Sequence, residues 1–136
     1  MFPLFELTSF EEMSGPAQTQ VLETLMRAMI TVNLLWLHNH KAPSLYQTKP
    51  RYLIKARPFA IDGWQDMPTT IQKRSGDCKD FVAYRCAELI AGGKDARPIV
   101  KWDGLLFHFQ LEQAGGIEDP SEILGMSEAL SEALRR

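Results

Sequence analysis

Three observations predict an α+β chain. Apolar residues recur at helical spacing between residues 17 and 37, a second helical pattern begins at Cys78, and the stretch after Gly93 alternates apolar and polar residues around a glycine-rich turn. A length of 136 residues fits one domain. Its expected divisions are a lead-in over 1–13, a long helix over 14–38 and a core carrying the chemistry over 78–120.

Met1–Phe5 is an apolar, aromatic lead-in. Ser14-Gly15-Pro16 is a helix-start signal, with proline near the first turn. From Ala17 to Leu37, residues Val21, Leu22, Leu25, Met26, Met29 and Ile30 make a wide apolar face that continues through Leu35. The helix is expected to fray at His38-Asn39-His40, because Pro43 forbids continuation. Ala42–Asp66, rich in proline and aromatics, reads as extended and irregular with a short strand at Arg51–Lys55. Met67–Lys73 reads as one short helical turn. Ser75-Gly76-Asp77 reads as a turn whose aspartate caps the next helix, Cys78–Ile90. On that helix Phe81, Val82, Arg85, Cys86 and Leu89 share one side, and Ala91-Gly92-Gly93 ends it.

Ala96–Trp102 and Leu105–Glu112 read as strands. In the second, Leu105, Phe107, Phe109 and Leu111 share one face, and Leu106, His108, Gln110 and Glu112 the other. Gln113-Ala114-Gly115-Gly116 is a hairpin turn and Ile117–Asp119 the returning strand. Pro120 starts a tail that ends in a helix over Met126–Arg136, where Arg135 and Arg136 suit the C-terminal dipole.

Composition narrows the function classes. Fifteen Lys plus Arg against 17 Asp plus Glu leave a net charge of −2, which disfavours nucleic-acid binding through a basic face. Hydrophobic residues at 45% suffice for a core, and no apolar run approaches the roughly 20 residues of a membrane span. Residues 1–10 carry neither a basic n-region nor a small-residue cleavage site, so no signal peptide is expected. Cys78 and Cys86 cannot make a disulfide framework; on one helix they stand about 12 Å apart along its axis. Free thiols in a reducing compartment are expected.

Cys78 is the candidate nucleophile. A helix start lowers a thiol pKa through the dipole and unpaired N–H groups, and the same geometry aims the Cys78 backbone N–H at an oxyanion. The base would be His108, on the strand face opposite the apolar side chains. If the hairpin turn centres on Ala114-Gly115, residues whose numbers sum to about 229 face one another. Asp119 is then a diagonal neighbour of His108 and can orient its ring. Plainer readings attach to other residues. Asp77 is a cap, Asp80 is tied to nearby backbone or to Arg85, and Cys86 is core. His38 and His40 belong to a helix end rather than to a metal site. Arg51, Lys55, Arg57, Lys73 and Arg74 form a solvated surface. Trp36, Tyr46, Tyr52 and Phe59 cover the core or wall a substrate groove; the sequence leaves both open.

Gly76-Asp77-Cys78-Lys79-Asp80 resembles the Gly-Asp-Cys-Glu-Asp motif of transglutaminase-like cysteine proteins. The order Cys78, His108, Asp119 is similar to that superfamily's, and Trp64-Gln65-Asp66-Met67-Pro68 resembles the Trp-x-x-x-Pro lead-in of bacterial members. Pro43-Ser44-Leu45-Tyr46 and Ile123-Leu124-Gly125-Met126 look like small members from bacterial and phage genomes. The resemblance covers about Leu34 to Met126. It implies a papain-like fold, with a Cys-bearing helix packed on a small antiparallel sheet, preceded here by the long helix. It also implies a thiol-dependent amide hydrolase, of cysteine peptidase or amidase type, working through a thioester. Cys78, His108 and Asp119 would be its triad, and a peptide, isopeptide or side-chain amide its substrate. Water or an amine would resolve the thioester. The alternative is a phage or prophage structural or assembly module that keeps the fold with little or no catalysis. Lys79 replaces a glutamate that helps bind calcium in some relatives, so no metal or cofactor is expected. Trp64 and Gln72 are both candidates, by analogy, for the second oxyanion donor. Expected partners are the amide substrate and a phage or bacterial protein, with no nucleic acid and no membrane span. The expected location is a bacterial cytoplasm or a virion.

Overall fold

Ser14 opens the long helix as its sequence predicts. Its Oγ accepts from the Ala17 N–H at 3.2 Å and Pro16 sits in the first turn, so α1 runs Gly15–Asn39. The computed structural model describes residues 10–55, 63–102 and 106–135. The Met1–Phe5 lead-in, Arg57, Pro58 and Phe59, Leu105 and Arg136 lie outside them. At its far end α1 stops at His40, whose ring stacks on Trp36 at 4.6 Å and whose Nδ1 lies 2.9 Å from the Trp36 carbonyl. That is a helix terminus, as expected.

The irregular middle carries more structure than its sequence suggests. Ser44 and Gln47 form a capping box that starts a short helix, α2 (Leu45–Thr48). The strand expected over Arg51–Lys55 is only β1 (Arg51–Tyr52), and it pairs in parallel with β2 (Ser75–Gly76), where a turn was expected. Between them α3 (Met67–Lys73) is a full seven-residue helix. Asp66 caps it through Thr69 N–H at 3.0 Å, and buried Asn33 of α1 accepts from Met67 N–H at 2.8 Å. This last bond pins the start of α3 to the long helix.

The cysteine-bearing helix is α4 (Cys78–Ala91). Its sequence predicts burial on one side; the structure buries it nearly all round. Lys79, Asp80, Ala83, Tyr84 and Ala87 are enclosed along with Phe81, Val82, Cys86 and Leu89. The reason is its central position, packed by α1, α3, α5 and the sheet together. Asp80 is not tied to Arg85 but to backbone and to Lys55, and Lys55 is thereby removed from the solvated surface assigned to it.

The sheet is antiparallel in the order β3 (Ala96–Trp102), β4 (Phe107–Gln113), β5 (Gly116–Glu118). Phe109 and Leu111 are fully buried and Leu106 is exposed, as alternation predicts. Gln113 pairs with Gly116 and Leu111 with Glu118, the register in which partner numbers sum to 229. Gly116, at φ +116°, adopts a conformation that side chains disfavour and closes the two-residue loop. Asp119, expected as strand, caps a helix unseen in the sequence, α5 (Pro120–Ile123). The terminal helix α6 (Met126–Leu134) buries no residue. The chain is thus α+β, with a long N-terminal helix and a small antiparallel sheet. Among the described residues no helix is long and apolar enough to cross a membrane.

Candidate active site

The site begins with a glycine. A Cβ at Gly76 would meet Phe81 Cε1 at 3.0 Å and Asp80 Cβ at 3.1 Å, so only glycine lets β2 lie this close to the start of α4. Asp77 then caps α4, its carboxylate bonded to buried Lys79. Asp80 accepts from the backbone N–H of Asp77 at 3.0 Å and of Gln65 at 2.9 Å, and from the Lys55 ammonium. Lys55 also donates to the Gly63 carbonyl at 2.7 Å. Two cations and two carboxylates therefore lock the Trp64-containing lead-in and the exit of β1 onto the first turn of α4. Burial and the Asp80 charge push the Asp77 carboxyl up to about 7, against the pull of Lys79 and Lys55.

Cys78 follows this cluster, at the helix start as predicted. Its expected low pKa is corrected: the thiol is pushed up to about 12. Burial is the largest cause and the Asp77 carboxylate adds to it, whereas a backbone hydrogen bond from Phe109 and the Lys79 charge pull the other way and lose. A helix start cannot make a thiolate when the same cap places a carboxylate beside a desolvated sulfur. Cys78 is therefore a neutral thiol at pH 7.

The Phe109 contact sets Cys78 beside β4, and the preceding residue is His108. His108 Nε2 lies 2.8 Å from Asp119 Oδ2, the diagonal pairing that the hairpin arithmetic predicts. Gln110 Nε2 donates to the same oxygen at 3.0 Å, and Asp119 Oδ1 accepts from the Glu122 N–H at 3.3 Å. Burial raises the Asp119 carboxyl, but these bonds outweigh it and hold the group below its ordinary range. An ionised carboxylate only accepts, so Nε2 carries the imidazole proton and Nδ1 is the basic nitrogen. Among the described residues no hydrogen bond joins the Cys78 sulfur to His108.

Beside Asp119, Glu118 accepts from Arg85 Nε at 2.7 Å, from Tyr46 and from Gln113. This knot ties the end of β5 to α4 and α2. Of the two oxyanion candidates, Trp64 is buried, edge-on to Phe109 at 6.3 Å and with the Lys79 ammonium 5.3 Å from its ring. Gln72 stands exposed on α3, and no hydrogen bond among the described residues brings it to Cys78. The buried glutamine of this region is Gln65, whose amide donates to Thr70 and to the Ser75 carbonyl and so holds β2 in place.

Sequence reasoning left two participants unassigned. Tyr52 of β1 has its phenol raised by burial first and then by the Cys78 thiolate, where it forms, and the Asp77 and Asp119 carboxylates, so one side chain senses both ends of the constellation. Gln110 shares the His108 face of β4, and that strand alternation was the available signal. No protein-family model matches the chain, and neither a curated protein nor a solved structure matches it. Chemically, the arrangement offers a half-buried cysteine at a helix start, one basic imidazole nitrogen on the adjacent strand residue, and an anion fixing that imidazole's tautomer.

Proposed function

We propose that the chain is a thiol-dependent amide hydrolase with a papain-like core of the transglutaminase-like type, acting on a peptide or protein amide in a bacterial cytoplasm or a phage particle. The observation that carries this reading is the His108–Asp119 bond on the strand whose next residue hydrogen-bonds Cys78. In this mechanism the Cys78–His108 hydrogen bond forms in the substrate complex, as catalytic contacts tighten on substrate binding. The Cys78 thiol proton passes to His108 Nδ1 as the S–C bond forms. The Cys78 backbone N–H, at the α4 start, faces the oxyanion, and Trp64 is the supporting candidate that lies nearby. His108 returns the proton to the departing nitrogen as the C–N bond breaks, leaving a thioester on Cys78. Water, deprotonated by His108, releases the acid and regenerates the thiol. Because Cys78 rests as a neutral thiol, the imidazole must act as a true base rather than as half of a preformed ion pair.

A second reading, a phage or bacterial assembly module without catalysis, is favoured by the raised thiol pKa and by the lack, among the described residues, of a hydrogen bond between Cys78 and His108. The activated ester p-nitrophenyl acetate separates the two. The enzyme reading expects a burst of one p-nitrophenol per chain and acetyl on Cys78 by mass spectrometry. The burst disappears in Cys78→Ala and slows about 100-fold in His108→Ala. Acetylation that ignores His108→Ala, or none at all, leaves the assembly module.

A further inference from the structure

We infer that Gln110 is a positioning residue of this site: it fixes the Asp119 carboxylate so that its Oδ2 faces His108. The inference rests on the hydrolase reading for its kinetic consequence but not for its structural one. Three facts converge. Gln110 Nε2 and His108 Nε2 meet on one oxygen, at 3.0 and 2.8 Å. Among the described residues the other oxygen has only the longer 3.3 Å bond from the α5 backbone, too weak alone to hold the carboxylate's rotation. The Gln110 Oε1, finally, is buried and finds no hydrogen-bond partner among the described residues.

An orphaned acceptor costs desolvation energy, and turning the amide over would leave its N–H groups elsewhere and set a carbonyl against a carboxylate. The side chain therefore gives up one bond to keep the other. A methionine of similar length would fill the same space without the orphan. Glutamine at 110 thus makes sense as a donor to Asp119 rather than as packing. Its consequence is atomic: with a second donor on Oδ2, Asp119 stays an oriented anion, His108 keeps its proton on Nε2, and Nδ1 stays free to take the thiol proton.

The test is Gln110→Met. Its melting temperature is expected to equal or exceed that of the wild type, since the orphan goes with the donor. The ring-nitrogen proton of His108, observed by NMR, is expected to exchange with water about tenfold faster, the worth of one hydrogen bond to a charged group. Acetylation of Cys78 by p-nitrophenyl acetate should fall by a similar factor in its maximal rate, with half-saturation unmoved. Unchanged proton exchange in a folded Gln110→Met protein overturns the inference, as does a slowed acetylation reproduced by loss of thermal stability alone. Should Gln110→Met fail to fold, Gln110→Glu decides. A carboxylate there repels Asp119, so faster exchange supports the role and unchanged exchange refutes it. If the wild type takes no acetyl group the hydrolase reading falls, while the exchange measurement still settles Gln110.

Discussion

At the scale of single residues, Cys78 carries the sharpest consequence. A thiol whose folded pKa is raised holds its proton at any pH below that value. Iodoacetamide should thus modify native Cys78 slowly at pH 8, at a rate still climbing at pH 10, because the thiol is pushed up to about 12. In urea the same residue should level off near the ordinary thiol value of about 8.5. Peptide mapping at several pH values checks this, and a native plateau near pH 8 would contradict it. The three triad candidates were legible in the sequence for different reasons. A Gly-Asp turn before a helical pattern marks Cys78, while strand alternation and a two-residue turn fix His108 and Asp119. The thiol's charge state was not legible. It depends on how deeply the sulfur lies and on the orientation of the Asp77 carboxylate, which only packing decides.

Among elements, legibility followed length. α1, α4, β3 and β4 are long enough for a period to declare itself, and their bounds fall close to those that the pattern predicts. α2, α5, β1 and β2 have two to four residues each, too few for any period. Partners elsewhere in the chain define them: the β1–β2 pair exists because α3 and its buried contacts return the backbone to Arg51. Tyr52 was read either as core cover or as a groove wall, and the short β1 pairing, invisible to any period, is what sets it by the site. The β2–α4 junction yields a prediction of its own. In Gly76→Ala the new methyl meets the Phe81 ring and Asp80, so helix and strand must part. A loss of about 1–3 kcal/mol is expected in urea unfolding, the usual cost of overpacking.

For the whole molecule, the charged cluster beneath Cys78 acts as a clasp between distant segments. Lys55 comes from the β1 exit, Gln65 from the lead-in to α3, and Asp77, Lys79 and Asp80 from α4. Lys79→Met should cost about 1–3 kcal/mol, because Asp77 loses its bonded cation and Lys55, 4.0 Å away, is left to offset its charge. Adding Asp77→Asn should return much of that loss, since the uncompensated charge is then gone. Urea unfolding of the single and double variants measures both. Equal stability of Lys79→Met and wild type would mean that the cluster is solvated in solution.

That clasp separates what folding requires from what chemistry requires. Gly76, Asp77, Lys79 and Asp80 flank Cys78 in the chain, yet each answers to a steric or ionic demand that persists whether or not the sulfur reacts. Cys78, His108 and Gln110 stand outside that ionic cluster. If the hydrolase reading holds, a relative without catalysis would be released from the chemical demand on those three while its Gly-Asp-x-Lys-Asp frame stayed in place. The frame is a record of architecture, and the signature of a hydrolase is to be sought in Cys78, His108 and Gln110.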